Sequence, residues 1–212
     1  MDTSAPTSDE LNVAFREAVG LHKAGKLHDA VRRYEALRRA LPNNPQLLYL
    51  LGSAYVGLDR DADGAEALEQ SLQSRPDYAP ALDMAGSAWT KLGKPENALT
   101  YFERSAALTP ESVGARCRLG IAMVGCRFYK QAATELQRCV ELDPQHGESW
   151  HYLAIALHQQ DMLGDAVHAC REAIRNGRES PMLRAQLGDL LTDLGKLDEA
   201  EQELEEARER FS

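Results

Sequence analysis

Between Leu82 and Trp89 the apolar and small residues Leu82, Ala85, Gly86 and Trp89 fall at i, i+3, i+4 and i+7, the spacing of one helix face. A second face follows after a short polar break, with Ala98 and Phe102 four residues apart. This pair of faces recurs every 34 residues without insertion or deletion, in stretches opening at Leu11, Pro45, Ala79, Val113, Gly147 and Pro181, the last two residues short. A period of that length predicts an array of stacked supersecondary units. No segment alternates strongly enough to compete as a strand.

Counting positions from those starts, each repeat reads as two antiparallel helices, at roughly positions 1–14 and 18–30. Position 20 is small throughout (Ala30, Gly64, Ala98, Ala132, Ala166, Ala200), and so is position 8 (Gly52, Gly86, Gly120, Ala154, Gly188). Paired small residues predict that the two helix backbones approach closely. Gly25, Gly93 and Gly195 at position 15 suit the left-handed residue that closes a first helix. Pro95 suits the opening turn of a second helix, and Pro42, Pro76, Pro110 and Pro144 at position 32 should end it. Arg116 and Arg184, at the otherwise apolar position 4, are expected to weaken their units.

The pattern of Leu51-Gly52, Ala85-Gly86, Leu119-Gly120 and Leu187-Gly188, with small position 20, bulky position 24 (Tyr34, Leu68, Phe102, Leu136) and proline at 32, resembles the tetratricopeptide repeat. The resemblance covers residues 11–212 and implies an all-α fold, a right-handed α-solenoid of six helix-turn-helix hairpins. It also implies a non-catalytic scaffold whose first helices line a concave groove that binds a peptide or helix of a partner protein.

Within that groove, positions 5, 9 and 12 share one stripe. Here they are Phe15, Val19 and His22; Tyr49, Ser53 and Val56; Asp83, Ser87 and Thr90; Cys117, Ile121 and Val124; His151, Ile155 and His158; and Ala185, Asp189 and Thr192. A solvated face would be mostly Lys, Glu, Gln and Asp, so the aromatic and aliphatic groups in repeats one, two, four and five point to a partner-binding surface. Tight curvature burying them against neighbouring first helices is the competing reading. Two known groove chemistries do not carry over. The carboxylate clamp of heat-shock chaperone cofactors opens with Lys and Asn at positions 5 and 9, a pair no repeat has. The asparagine ladder of the O-linked N-acetylglucosamine transferase array would stand at position 6, which holds Arg16, Leu50, Met84, Arg118, Tyr152 and Gln186.

Charge adds one possibility and removes another. The chain carries a net −9, which argues against nucleic acid as partner. Repeat one has seven Lys/Arg against three Asp/Glu, net +4, and repeat six four against nine, net −5. Oppositely charged ends allow self-association that salt would weaken. On the last second helix, Glu201 and Arg208 replace the apolar residues of positions 21 and 28, the signature of a solubilising cap, so the array is expected to stop there. A targeting module at the N-terminus of a larger glycosyl-, sulfo- or methyltransferase is an alternative setting.

The remaining chemistry is sparse. No run of 18 apolar residues exists, so no membrane span is expected, and residues 1–10 read as a flexible tail without a secretory signal, with Thr7 and Glu10 fit for a capping box. Four cysteines without CxxC spacing suggest reduced thiols and a cytoplasmic protein, Cys139 and Cys170 serving as small core groups. Asp59, Asp61, Asp63 and Gly64 open like a calcium loop, but Glu66 and Gln70 stand where an apolar residue and the closing glutamate belong. His151 and His158 are seven residues apart, roughly 10 Å along a helix, too far to share one ion. No metal, cofactor or enzyme motif is expected.

Overall fold

The computed structural model describes residues 7–211; of the tail expected at residues 1–10, residues 1–6 lie outside the described residues. Among the described residues there are twelve helices and no strand, ordered as six hairpins: α1 (Ser8–Lys23) and α2 (Leu27–Ala40), α3 (Pro45–Val56) and α4 (Asp61–Ser74), α5 (Ala79–Lys91) and α6 (Pro95–Leu108), α7 (Val113–Gly125) and α8 (Tyr129–Leu142), α9 (Gly147–His158) and α10 (Leu163–Arg175), α11 (Pro181–Asp193) and α12 (Leu197–Phe211). The fold class is all-α, of the helical-hairpin solenoid type. The chain divides into two compact units, Met1–Leu108 and Thr109–Ser212. In each unit three hairpins stack, every helix packing chiefly on its neighbours in sequence, with first helices also meeting directly (α3 on α5, α7 on α9).

Helix ends follow the sequence closely. Thr7 and Glu10 form the capping box, with the Glu10 carboxylate accepting from the Thr7 backbone N–H at 2.7 Å. The helix it caps opens at Ser8, earlier than the repeat frame starts. Asn44, Ser112 and Ser180 cap α3, α7 and α11 through their side chains, satisfying amides that would otherwise lack a partner. Where proline stands at position 32, the residue before it leaves the helix: Leu41, Arg75 and Asp143 have φ between −131° and −137°. Repeat five has Arg178 there, and α10 instead stops one residue sooner, at Asn176 and a left-handed Gly177 (φ 81°).

One turn is repeated six times. Position 15 is left-handed in every hairpin, at Gly25, Gly93 and Gly195, but also at Asp59 (φ 56°), Arg127 (φ 62°) and Asp161 (φ 62°). In each, its N–H bonds the carbonyl of position 12, and the next N–H bonds that of position 11; Lys26 to Leu21 (3.0 Å), Arg60 to Tyr55 (3.0 Å) and Phe128 to Met123 (2.8 Å) are three examples. This is the Schellman arrangement, which satisfies the last carbonyls of the first helix. It is imposed by the hairpin register even where no glycine is available.

The small residues at positions 8 and 20 do bring the two helices together. A Cβ on Gly86 would come within 2.6 Å of the Phe102 ring, and one on Gly120 within 2.6 Å of Leu136 Cγ. Around these crossings the cores hold Tyr34, Leu47, Leu51, Leu68 and Leu82 in the first unit, and Leu136, Leu153, Leu183, Leu187 and Leu191 in the second. Each fully buried side chain of this size is worth roughly 1.5–3 kcal/mol.

The two arginines expected to weaken their units are instead neutralised. Arg184 is only 5% exposed, and its guanidinium meets Glu179 at 2.7 Å, Glu203 at 2.6 Å and Glu206 at 2.9 Å. Arg116 pairs with Glu135 at 2.7 Å and donates to the Pro110 carbonyl. Position 27 adds another polar device inside the hairpin: Ser71 Oγ donates to the Pro45 carbonyl at 2.7 Å and Cys139 Sγ to that of Val113 at 3.7 Å. Glu201 and Arg208 are exposed on α12.

Candidate functional site

The stripe of positions 5, 9 and 12 runs along α1, α3 and α5 in the first unit and α7, α9 and α11 in the second. Nearly all of its side chains are half-buried; Cys117 is buried, and Thr90, Asp189 and Thr192 are exposed. Partial exposure follows from helix geometry. Phe15, His22, Val56 and Asp83, at positions 5 and 12, lean toward the second helix of their own hairpin.

That lean decides which candidates remain available. Phe15 and His22 both pack on Tyr34 of α2, with ring centroids 6.5 and 6.0 Å away, and His22 Nδ1 is 3.4 Å from the Tyr34 hydroxyl. Val56 covers Gly64. Asp83 accepts from Ser105 Oγ at 2.6 Å. Ser87 and Thr90 turn back to bond carbonyls of their own helix, at Asp83 and Gly86. The stripe is therefore partly sealed by its own hairpins in repeats one and three. Tyr49 is different. It makes an edge contact with Tyr78 at 5.0 Å, joining α3 to the residue before α5. Val19 and Ser53 in the first unit, and Ile121, Val124 and Ile155 in the second, are half-buried and mainly aliphatic.

Burial shapes the titration of this face. It lowers the affinity of His22 for a proton, and does the same to His151, reinforced by the nearby Arg178 cation. His151 stacks on Tyr152 with centroids 5.2 Å apart, and its Nδ1 has no hydrogen-bond partner. Tyr34 is pushed up to about 12 by burial alone, and Tyr55 to about 12 by burial and then by the Glu35 carboxylate its hydroxyl contacts. His158 stands 4.0 Å from Asp193 of α11.

Other expected features resolve simply. The three aspartates of the calcium-like segment diverge: Asp63 pairs with Arg60, while Asp59 and Asp61 meet Lys91 at 2.9 and 3.6 Å. Cys117, Cys139 and Cys170 are free thiols, and Cys139 and Cys170 are each driven up to about 12, chiefly by burial. Among the described residues no helix is long and apolar enough to cross a membrane. An open depression of about 820 Å³ lies away from the stripe, between α2 and α4, lined by Glu35, Arg38, Arg39, Gln70 and Gln73. Its mixed charges do not converge on one point.

The sequence reading missed His146 and Glu148. His146 caps α9 through Nδ1, and Glu148 sits in its first turn; one ligand-capable atom of each and the Cys117 sulfur lie within 4.8 Å of one another. The residues occupy positions 34, 2 and 5 of two repeats, so only the fold brings them together.

Comparison with known proteins agrees with this architecture. Tetratricopeptide repeat models match residues 15–79, 135–168 and 183–209. The BBSome complex member BBS4 of Bos taurus is 24% identical over 222 aligned positions, covering 89% of this chain and 43% of that protein. A structure of MamA from Desulfovibrio magneticus RS-1 superposes with a TM-score of 0.75 at 21% identity, over 82% of this chain and 98% of that one. YrrB, described as a TPR protein with an unusual peptide-binding site, gives 0.74 at 20% identity, over 80% and 87%. The chain spans under half the length of the curated relatives it matches.

Proposed function

The chain belongs to the tetratricopeptide repeat family, and from that premise we propose that it is a non-catalytic scaffold holding a peptide or helix of a partner protein along its first helices. The observation that carries this reading is the run of half-buried aliphatic and aromatic side chains at Tyr49, Ile121, Val124 and Ile155, on helices that touch one another within each unit. Covering the half of such a side chain that stays exposed gains about half the value of full burial, roughly 0.75–1.5 kcal/mol, or about three- to twelve-fold in affinity. The peptide-binding site in the printed description of YrrB lends support by likeness of fold alone.

The test compares the parent with Tyr49→Ala and Ile121→Ser. Peptides selected on the parent from a display library should lose about three-fold or more in affinity for at least one variant, while thermal unfolding stays cooperative. An exposed outer-face change, Glu141→Gln, should leave affinity unaltered. Equal binding by all four proteins would reject the groove.

A second reading rests on the opposite charges of repeats one and six. End-to-end assembly would raise light scattering at low salt and fall away at high salt; a monomer under both conditions removes it. The greater length of the curated relatives also suits a third setting, in which the groove recruits substrates for a longer protein such as a transferase.

A further inference from the structure

Cys117, His146 and Glu148 supply a thiol, an imidazole and a carboxylate at one place in the second unit, with one ligand-capable atom of each within 4.8 Å of the others. We propose that these three side chains form a binding site for a zinc-class divalent ion, one that joins α7 to the start of α9. Sulfur, nitrogen and oxygen in this combination form the donor set of borderline-soft ions such as Zn2+ and Co2+, whereas calcium and magnesium take oxygen alone. Three protein ligands leave the fourth position of a tetrahedral ion to water or to a side chain of a bound partner.

The surroundings are arranged for such an ion. A histidine bound through one ring nitrogen needs the other held in place, and His146 Nδ1 lies 2.8 Å from the hydroxyl of Ser149, itself fully buried. Capping does not depend on that nitrogen alone. The Ser149 N–H that contacts Nδ1 at 3.2 Å also reaches the His146 carbonyl at 3.0 Å, so Nδ1 can carry a proton and donate to Ser149 Oγ without orphaning the amide. Glu148 is held only loosely, by Arg178 at 3.7 Å with both side chains about half exposed, and that arginine can withdraw into water. Cys117 is only 2% exposed, and a cysteine is ordinarily a thiol at neutral pH.

An ion must therefore displace the thiol proton. The S–H bond breaks, the proton passes to solvent, and the sulfur–metal bond forms with no change in oxidation state, so binding strengthens as pH rises. The likeness to peptide-binding scaffolds plays no part in this inference.

Cobalt is the probe. Reduced protein stripped with a chelator should take up one equivalent of Co2+, with a near-ultraviolet sulfur-to-cobalt charge-transfer band that Zn2+ abolishes by displacement. Cys117→Ser should lose the band, while Cys126→Ser and Cys139→Ala keep it. Competition against a chromophoric chelator should show zinc affinity reduced about ten-fold or more in His146→Gln and Glu148→Gln, with the helical signal unchanged. No band in the parent, or a band that survives Cys117→Ser, overturns the site. If Cys117→Ser fails to fold, the other two variants decide, and parental zinc affinity in both overturns it equally.

Discussion

Gly52 and Gly64 face each other where α3 crosses α4: a Cβ built on the first would stand 3.0 Å from the carbonyl oxygen of the second, and one on the second 3.2 Å from that of the first. Each backbone thus occupies the space a side chain on the other would need. The same Cβ on Gly64 would meet Val56 Cγ2 at 2.6 Å, and the one on Gly52 would meet Leu68 Cγ at 2.7 Å. Glycine costs a helix about 1 kcal/mol relative to alanine, so its presence on both sides is explained by packing alone.

Alanine should therefore act in opposite directions at different glycines. Gly64→Ala gains about 1 kcal/mol of helix propensity but overfills the crossing by about 1–3 kcal/mol, and a net loss of stability is expected. Gly20→Ala, inside α1 with nothing within 4 Å of the new Cβ, should gain about 0.5–1 kcal/mol. Urea unfolding of the two variants checks this, and stabilisation by both would show that the crossing has room to spare.

The left-handed turn gives a second contrast. Gly93→Ala meets no neighbour within 4 Å, so its cost is backbone strain alone, about 1–2 kcal/mol. Arg127→Gly relieves the same strain at the equivalent turn, offset by about 0.4–1 kcal/mol of added freedom in the unfolded chain. A small net gain is expected. Differential calorimetry should find the unfolding temperature lower for the first variant and equal or higher for the second.

Arg184 is a buried cation with three carboxylates around it, so its removal leaves those charges to repel one another. Arg184→Ala should destabilise by roughly 2–3 kcal/mol, below the loss typical of a fully buried pair because the glutamates reach solvent. Arg184→Leu restores the apolar volume found at Leu48 and Leu82, and should recover part of that loss. An alanine variant as stable as the parent in urea would mean the cluster contributes nothing.

Two of the half-buried histidines set a pH dependence. His22 and His151 bind protons more weakly when folded than at their ordinary value of 6.5, so between those values the unfolded chain holds more protons. Their contribution is complete above about pH 6.5 and declines as pH falls from there toward the folded values. Unfolding temperature should drop between pH 7 and pH 5, and the drop should be smaller in His151→Gln. An unchanged slope in that variant would assign the dependence to other groups.

The 34-residue period made nearly all of the helical frame readable, because a fixed period carries every turn even where one residue disagrees. Nothing about Arg127 or Asp161 announces a left-handed backbone; their place in the register does. Polar residues on the core face escape the apolar pattern for a related reason. A pattern of apolar positions treats Arg184 as a defect, whereas Glu203 and Glu206, a helix away, make it a partner. The stripe of positions 5, 9 and 12 is legible as a pattern but not residue by residue, since Val56 and Asp83 lean onto their own hairpins in a way spacing alone does not reveal.

Because each helix rests chiefly on those before and after it within its unit, closing these contacts never requires remote segments to find one another. Little loop entropy is lost in bringing them together. Refolding should accordingly be fast for a protein of this size. Within each unit, amide exchange should be graded from a well-protected middle hairpin to readily opened outer ones, so a unit can yield at one hairpin while its neighbours hold.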